Sequence, residues 1–131
     1  MIHSDAWIPQ IVGYADWIAS PGRVRRAWID RDFSETSVTD YPELMEQMFE
    51  DLDADGVEAQ MLAVLDVERG DAIAKFLATL RETDTALVAG ARRDLAAILA
   101  SDEWHGVERV AREVVDIFAK RPWVEIGGAG D

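Results

Sequence analysis

Apolar positions recur along most of the chain at intervals of three and four residues, the spacing that gathers side chains on one face of an α-helix. Trp7, Ile8, Ile11, Val12, Ala15 and Ile18 mark a first helix over residues 5–19, with Pro9 in its first turn and Pro21-Gly22 ending it. From Arg23 to Val38 no such stripe persists. Trp28-Ile29 and Phe33 are apolar there, and Ser34 to Thr39 is rich in hydroxyl and β-branched residues, which suits a loop or a short β-hairpin around residues 23–39. Asp40 followed three residues later by Glu43 has the form of a helix cap, with Pro42 tolerated in the first turn, and Tyr41, Leu44, Met45, Met48, Phe49 and Leu52 continue the helical stripe.

Beyond Asp55-Gly56, the residues Val57, Met61, Leu62 and Leu65 predict a short helix, and Gly70-Asp71 reads as punctuation before Ile73, Phe76, Leu77 and Leu80. Thr83 to Thr85 opens a further segment in which Leu87, Val88, Ala91, Leu95, Ile98 and Leu99 keep the stripe up to Ser101. A last helix spans about residues 102–120, burying Val107, Val110, Ala111, Val114, Ile117 and Phe118, and stops before Pro122. These faces predict a mainly α fold: one compact helical bundle of about five or six helices over residues 1–126, with a flexible tail at 127–131. No repeat or linker divides the chain.

Composition supports an ordinary core. The 131 residues are 49 % hydrophobic and include five Trp, enough for a single domain, while the absence of Cys excludes disulfides and thiolate metal sites. Apolar runs fall far short of the roughly 20 residues of a membrane span, and no signal-peptide pattern opens the chain, so the expected location is cytoplasmic.

Charge changes the picture more. The formal net charge of −13 argues against nucleic acid and anionic membrane as partners and in favour of a basic protein. It is also uneven: between Asp30 and Glu58 eleven acids face one base, Arg31, a local net of −10. On a continuous helix Glu43, Glu46, Glu50 and Asp53 would share one face, where like charges repel by a few tenths of a kcal/mol per pair. Binding a cationic partner is one reason to keep them there; the solvated outer face of an acidic protein is the other. The candidate partner-binding residues are Trp28, Asp32, Glu35, Tyr41, Glu43, Glu46, Glu50 and Asp53, with the aromatics as apolar anchors. Arg23, Arg25 and Arg26 are expected to serve as counter-charges to the acidic helix.

Catalytic chemistry finds little to build on. Asp51-Leu52-Asp53-Ala54-Asp55-Gly56 matches the first half of an EF-hand loop, but the twelfth position, which should be a bidentate Glu, is Leu62. Only two His occur; His105 has Glu108 one turn on and no metal-binding His spacing, which reads as a packed, partly buried histidine. The Gly127-Gly128-Ala129-Gly130 run has no following helix to complete a phosphate site. No catalytic residue, metal ligand or cofactor is expected, and the chain does not read as an enzyme.

The acidic stretch carries a more specific likeness. Trp28, Asp32-Phe33, Thr36-Ser37-Val38-Thr39, Tyr41-Pro42-Glu43-Leu44 and Phe49-Glu50-Asp51-Leu52 stand in an order that resembles immunity proteins of bacterial contact-dependent growth inhibition and related polymorphic toxin systems. Downstream, Asp71-Ala72-Ile73-Ala74-Lys75-Phe76-Leu77 and Arg93-Asp94-Leu95-Ala96-Ala97-Ile98-Leu99 look like the helical pair of such proteins, so the resemblance covers roughly residues 28–118. It implies a cytosolic protein that binds the C-terminal domain of a cognate toxin, a nuclease or other effector, and blocks it. The alternatives are an acidic helical adaptor or regulatory domain for some other basic protein and, furthest from the composition, a small enzyme or metal protein.

Overall fold

The computed structural model describes residues 4–34, 36, 38–51, 54–87 and 94–120, and among these it contains seven α-helices and no strand. The first, α1 (Ser4–Ile18), buries Ile8, Ile11, Ala15 and Ile18 completely, the i, i+3, i+7, i+10 row expected of it. Pro9 sits in its second turn rather than its first, exposed to solvent, where its missing N–H removes one intrahelical bond.

Pro21 does not only end that helix; it starts another. α2 (Pro21–Trp28) has Pro21 in its first turn, where the missing N–H would have been unpaired anyway, and it buries Val24, Ala27 and Trp28. A loop or hairpin over 23–39 is therefore corrected: residues 23–28 are helix, and the described part of 29–40 is irregular without strand pairing. Arg31 takes a left-handed backbone conformation there, φ 57°, held by its guanidinium, which donates to the Thr39 carbonyl at 2.9 Å and lies over the Phe33 ring.

The capped helix forms as its sequence predicts. α3 (Tyr41–Glu46) starts with the Asp40 carboxylate accepting the Glu43 N–H at 2.8 Å. It then widens into a π-helical turn, Gln47–Asp51, which carries one extra residue per turn. α4 (Ala54–Val64) follows, and then α5 (Val67–Ala86), whose N-cap is Asp66, accepting the Arg69 N–H at 3.4 Å. Gly70-Asp71 lies inside α5 and does not interrupt it: Gly70 is buried, with Leu62 and Leu65 close above the space a Cβ would fill. α6 (Leu95–Ala100) is capped by Asp94 accepting from the Ala97 N–H. α7 (Asp102–Lys120) matches its expected span, and the Ser101 hydroxyl that precedes it accepts the Trp104 N–H at 3.1 Å.

α7 is the central element, packed against α5 and α1, with α6 folded onto it. Its buried row, Trp104, Val107, Val110, Ala111, Val114 and Phe118, meets Ile73, Phe76, Leu77 and Leu80 of α5 in the core. At one end the Arg112 guanidinium donates to the Ala19 carbonyl at 2.6 Å, tying α7 to the end of α1. Four aromatic rings from four helices close the core where α1, α2, α3 and α7 converge. Trp28 lies 5.3 Å from Trp104 and 5.7 Å from Trp17, and Tyr41 sits edge-on to both Trp28 and Trp104. The proposed domain boundary at 126/127 and the tail lie outside the described residues.

Candidate partner-binding surface

α3 and the π-helical turn that follows it present their acids to two different neighbours, α1 and α5. Along α3 and the π-helical turn, Glu43 and Gln47 form one row and Pro42, Met45, Glu46, Phe49 and Glu50 another. Glu43 is half-buried and accepts the Gln47 side-chain N–H at 3.0 Å; Gln47 in turn accepts the Tyr14 hydroxyl of α1 at 2.8 Å. Glu46 and Glu50 are exposed on the other side, against α5. The single acidic face expected for Glu43, Glu46, Glu50 and Asp53 is thus divided: Glu43 belongs to an α1–α3 polar network, Glu46 and Glu50 border a cleft, and Asp53 lies outside the described residues, as does Glu35.

That cleft, about 490 Å³ in volume, runs between α3 with its π-helical turn and the C-terminal half of α5. Met45 and Phe49 give it apolar wall, Glu46 and Glu50 stand on one side, and Arg81, Asp84 and Thr85 on the other. The Arg81 guanidinium lies over the Phe49 ring and forms an ion pair with Glu58 of α4, so its charge is largely offset within the protein. Asp84 accepts the Tyr41 hydroxyl at 3.0 Å. Arg81, Asp84 and Thr85 were not among the residues expected here. Their i, i+3, i+4 spacing marks a polar face of α5, but nothing in the sequence says that this face meets α3.

Two expected anchors are withdrawn on physical grounds. Trp28 is 2 % exposed, its indole N–H donates to the Val38 carbonyl at 3.1 Å, and its ring is surrounded by Trp17, Tyr41 and Trp104. Tyr41 is fully buried with its hydroxyl committed to Asp84. Neither side chain reaches a partner, because both are core. Asp32 is exposed as expected, in a tight turn where its carboxylate accepts from Ser34; the Ser34 side chain first and its backbone N–H second hold the carboxyl below the ordinary aspartate range.

The arginine cluster also departs from expectation. Arg23 pairs with Asp16 of α1 at 3.2 Å rather than with α3, while Arg26 acts on Asp32. His105 is on the surface, its side chain 57 % exposed, with Nδ1 2.9 Å from Glu108 Oε1, and is not the packed histidine its neighbours suggested. Among the described residues no group of three or more His, Asp or Glu side chains is placed to hold a metal ion, and no helix is long and apolar enough to cross a membrane. No protein-family model, curated protein or solved structure matches the chain.

Proposed function

We propose that this chain is an immunity protein of a bacterial polymorphic toxin or contact-dependent inhibition system, which binds a basic toxin domain, such as a nuclease, and neutralises it. The observation that carries the reading is the concentration of negative charge between Asp30 and Glu58, eleven acids against one base, with Glu46 and Glu50 exposed at the α3–α5 cleft. A lysine or arginine of the partner would lay its aliphatic stem along Met45 and Phe49 and its head among Glu46, Glu50 and Asp84. The wider field of a −13 protein would speed encounter with a cationic surface. A nuclease is cationic where it holds nucleic acid, so the same complementarity that binds it would cover its working surface.

The test is co-purification with the basic domain encoded beside this chain's gene, followed by suppression of that domain's toxicity. Stable capture with restored growth is the expected result. Reversing Glu46→Lys and Glu50→Lys together should weaken binding at least about tenfold and flatten its salt dependence. Unchanged affinity and protection in that variant would remove the cleft from the interface. Capture of a basic regulator that has no toxicity would instead favour the adaptor reading.

A further inference from the structure

Where α1 packs on α7, the two helices leave an open groove of about 440 Å³ between them, lined from Pro9 to Asp16 on α1 and from Val115 to Ala119 on α7. Its described lining is apolar apart from Asp16, and the Asp16 carboxylate is paired with Arg23 at 3.2 Å. No unpaired charge among the described residues of the wall therefore selects for an ion. Val12 and Val115 are only half-buried, and Gly13 and Ala119 are exposed. A Cβ on Gly13 would meet nothing within 4 Å, so the floor of the groove has space above it. An occupant that takes this surface out of water gains by the hydrophobic effect, and it has to be apolar itself.

The end of α7 supplies the candidate. α7 is described to Lys120, one residue beyond Ala119 on the groove wall, and the sequence continues Arg121-Pro122-Trp123-Val124-Glu125-Ile126. Pro122 cannot extend the helical hydrogen bonds and biases Arg121 toward an extended backbone. We infer that residues 122–126 turn back over the end of α7 and lie extended along the α1–α7 groove as a strap. Alternate side chains of an extended segment share a face, so Pro122, Val124 and Ile126 face Val12, Gly13 and Val115 while Glu125, the one charge of the segment, points to water. The lengths agree: the four steps from residue 122 to 126 span about 13–14 Å at full extension, and α1 rises about 10 Å from Pro9 to Asp16. A second copy of the chain would bring its own −13 against the first, and a basic partner finds no free carboxylate on the described wall. The tethered segment stands at an effective concentration on the order of millimolar, which favours it over either. The groove shares no lining residue with the α3–α5 cleft, and the inference does not rest on the function proposed for that cleft.

The test is nuclear Overhauser spectroscopy on the full chain with 13C-labelled methyl groups, the Ile126 δ1 signal being assigned by its loss in Ile126→Leu. That methyl should give cross-peaks to the methyls of Val12 and Val115 within one chain. Val124→Asp together with Ile126→Asp should remove the cross-peaks, shift the Val12 and Val115 signals and lower Tm by about 3 °C or more. Gly13→Leu fills the groove from its floor, where its Cβ has room, and should abolish the cross-peaks while the helical circular dichroism stays intact. The inference is overturned if the parent chain shows no such cross-peaks, or if they arise only between differently labelled copies, which would assign the groove to a second copy. It is equally overturned if the paired Asp substitutions leave the Val12 and Val115 signals in place, or if Gly13→Leu keeps the cross-peaks of the parent.

Discussion

Replacing Trp28 by Phe tests whether this side chain is core, as its burial implies, or a surface anchor. The substitution keeps an aromatic ring at the junction of α1, α2, α3 and α7 but deletes the indole N–H that meets the Val38 carbonyl at 3.1 Å. Val38 is itself only 3 % exposed, so its carbonyl is left without that donor in a nearly dry setting. Such a stranded acceptor costs about 1–3 kcal/mol. The smaller ring also removes two carbons' worth of burial, about 1.5 kcal/mol at about 0.8 kcal/mol per carbon. Together these predict a loss of about 2.5–4.5 kcal/mol from a total stability on the order of 5–15 kcal/mol. With a urea slope of about 2 kcal/mol per molar, the unfolding midpoint should fall by about 1.2–2.2 M. Trp7→Phe is the control: Trp7 is half-buried at the edge of the core and should lose no more than about 1 kcal/mol. Equal midpoints for the two variants, or a Trp28→Phe loss below about 1 kcal/mol, would refute the account of Trp28 as a hydrogen-bonded core residue.

Three further outcomes follow from single contacts. Asp40→Ala removes the acceptor of the Glu43 N–H and should cost about 1 kcal/mol by thermal unfolding, whereas Asp40→Asn should retain most of the cap; equal losses would show that charge, not capping, is at work. Gly106→Ala, in the interior of α7, would place a Cβ whose nearest neighbour outside the helix backbone is Arg109 Nη2 at 3.8 Å, so it should raise stability by about 0.8–1 kcal/mol and Tm by about 4 °C. Asp32, whose carboxyl is held low chiefly by the Ser34 side chain, should titrate by NMR below an ordinary aspartate, and Ser34→Ala should raise it toward the ordinary range. Because the folded pKa is the lower one, the order this carboxylate gives its turn is complete above the unfolded aspartate pKa. It is lost as pH falls through the folded value, and an unchanged Asp32 midpoint in Ser34→Ala would contradict the assigned cause.

Helices whose apolar row extends over several turns were legible from spacing alone. α7 keeps one buried stripe from Trp104 to Phe118 and α1 one from Ile8 to Ile18, so period and span both point to helix. α2 was not legible. It offers three buried side chains in eight residues among three arginines, and its helical form rests on Trp28 being gripped by rings from three other helices. Gly70 misled for the opposite reason. Glycine weakens a helix interior, but here Asp66 has already capped α5, and buried Gly70 packs beside Leu62 of α4 and Leu65 as part of the helix.

The acidic surface was legible as composition but not as geometry. The sequence shows that acids crowd residues 30–58; it does not show that Glu43 turns to Gln47 and α1 while Glu46 and Glu50 border α5, because spacing does not say which neighbour each side of a helix meets. Nor does spacing along one helix bring in Asp84, which arrives from α5 by tertiary packing. The misplaced aromatics explain why this matters. Tyr41 is not an anchor for a partner, but its buried hydroxyl holds Asp84 at the cleft, so a core ring fixes one of the carboxylates that face Glu46 and Glu50. Arg81 of α5, packed over Phe49 and paired with Glu58, ties the same wall to α4. Carboxylates ordered by core contacts lose less freedom when a cation arrives than flexible surface acids would, and more of the interaction energy is retained as affinity. The aromatic core and the acidic cleft are therefore two sides of the same helices, and the packing of the first sets the geometry of the second.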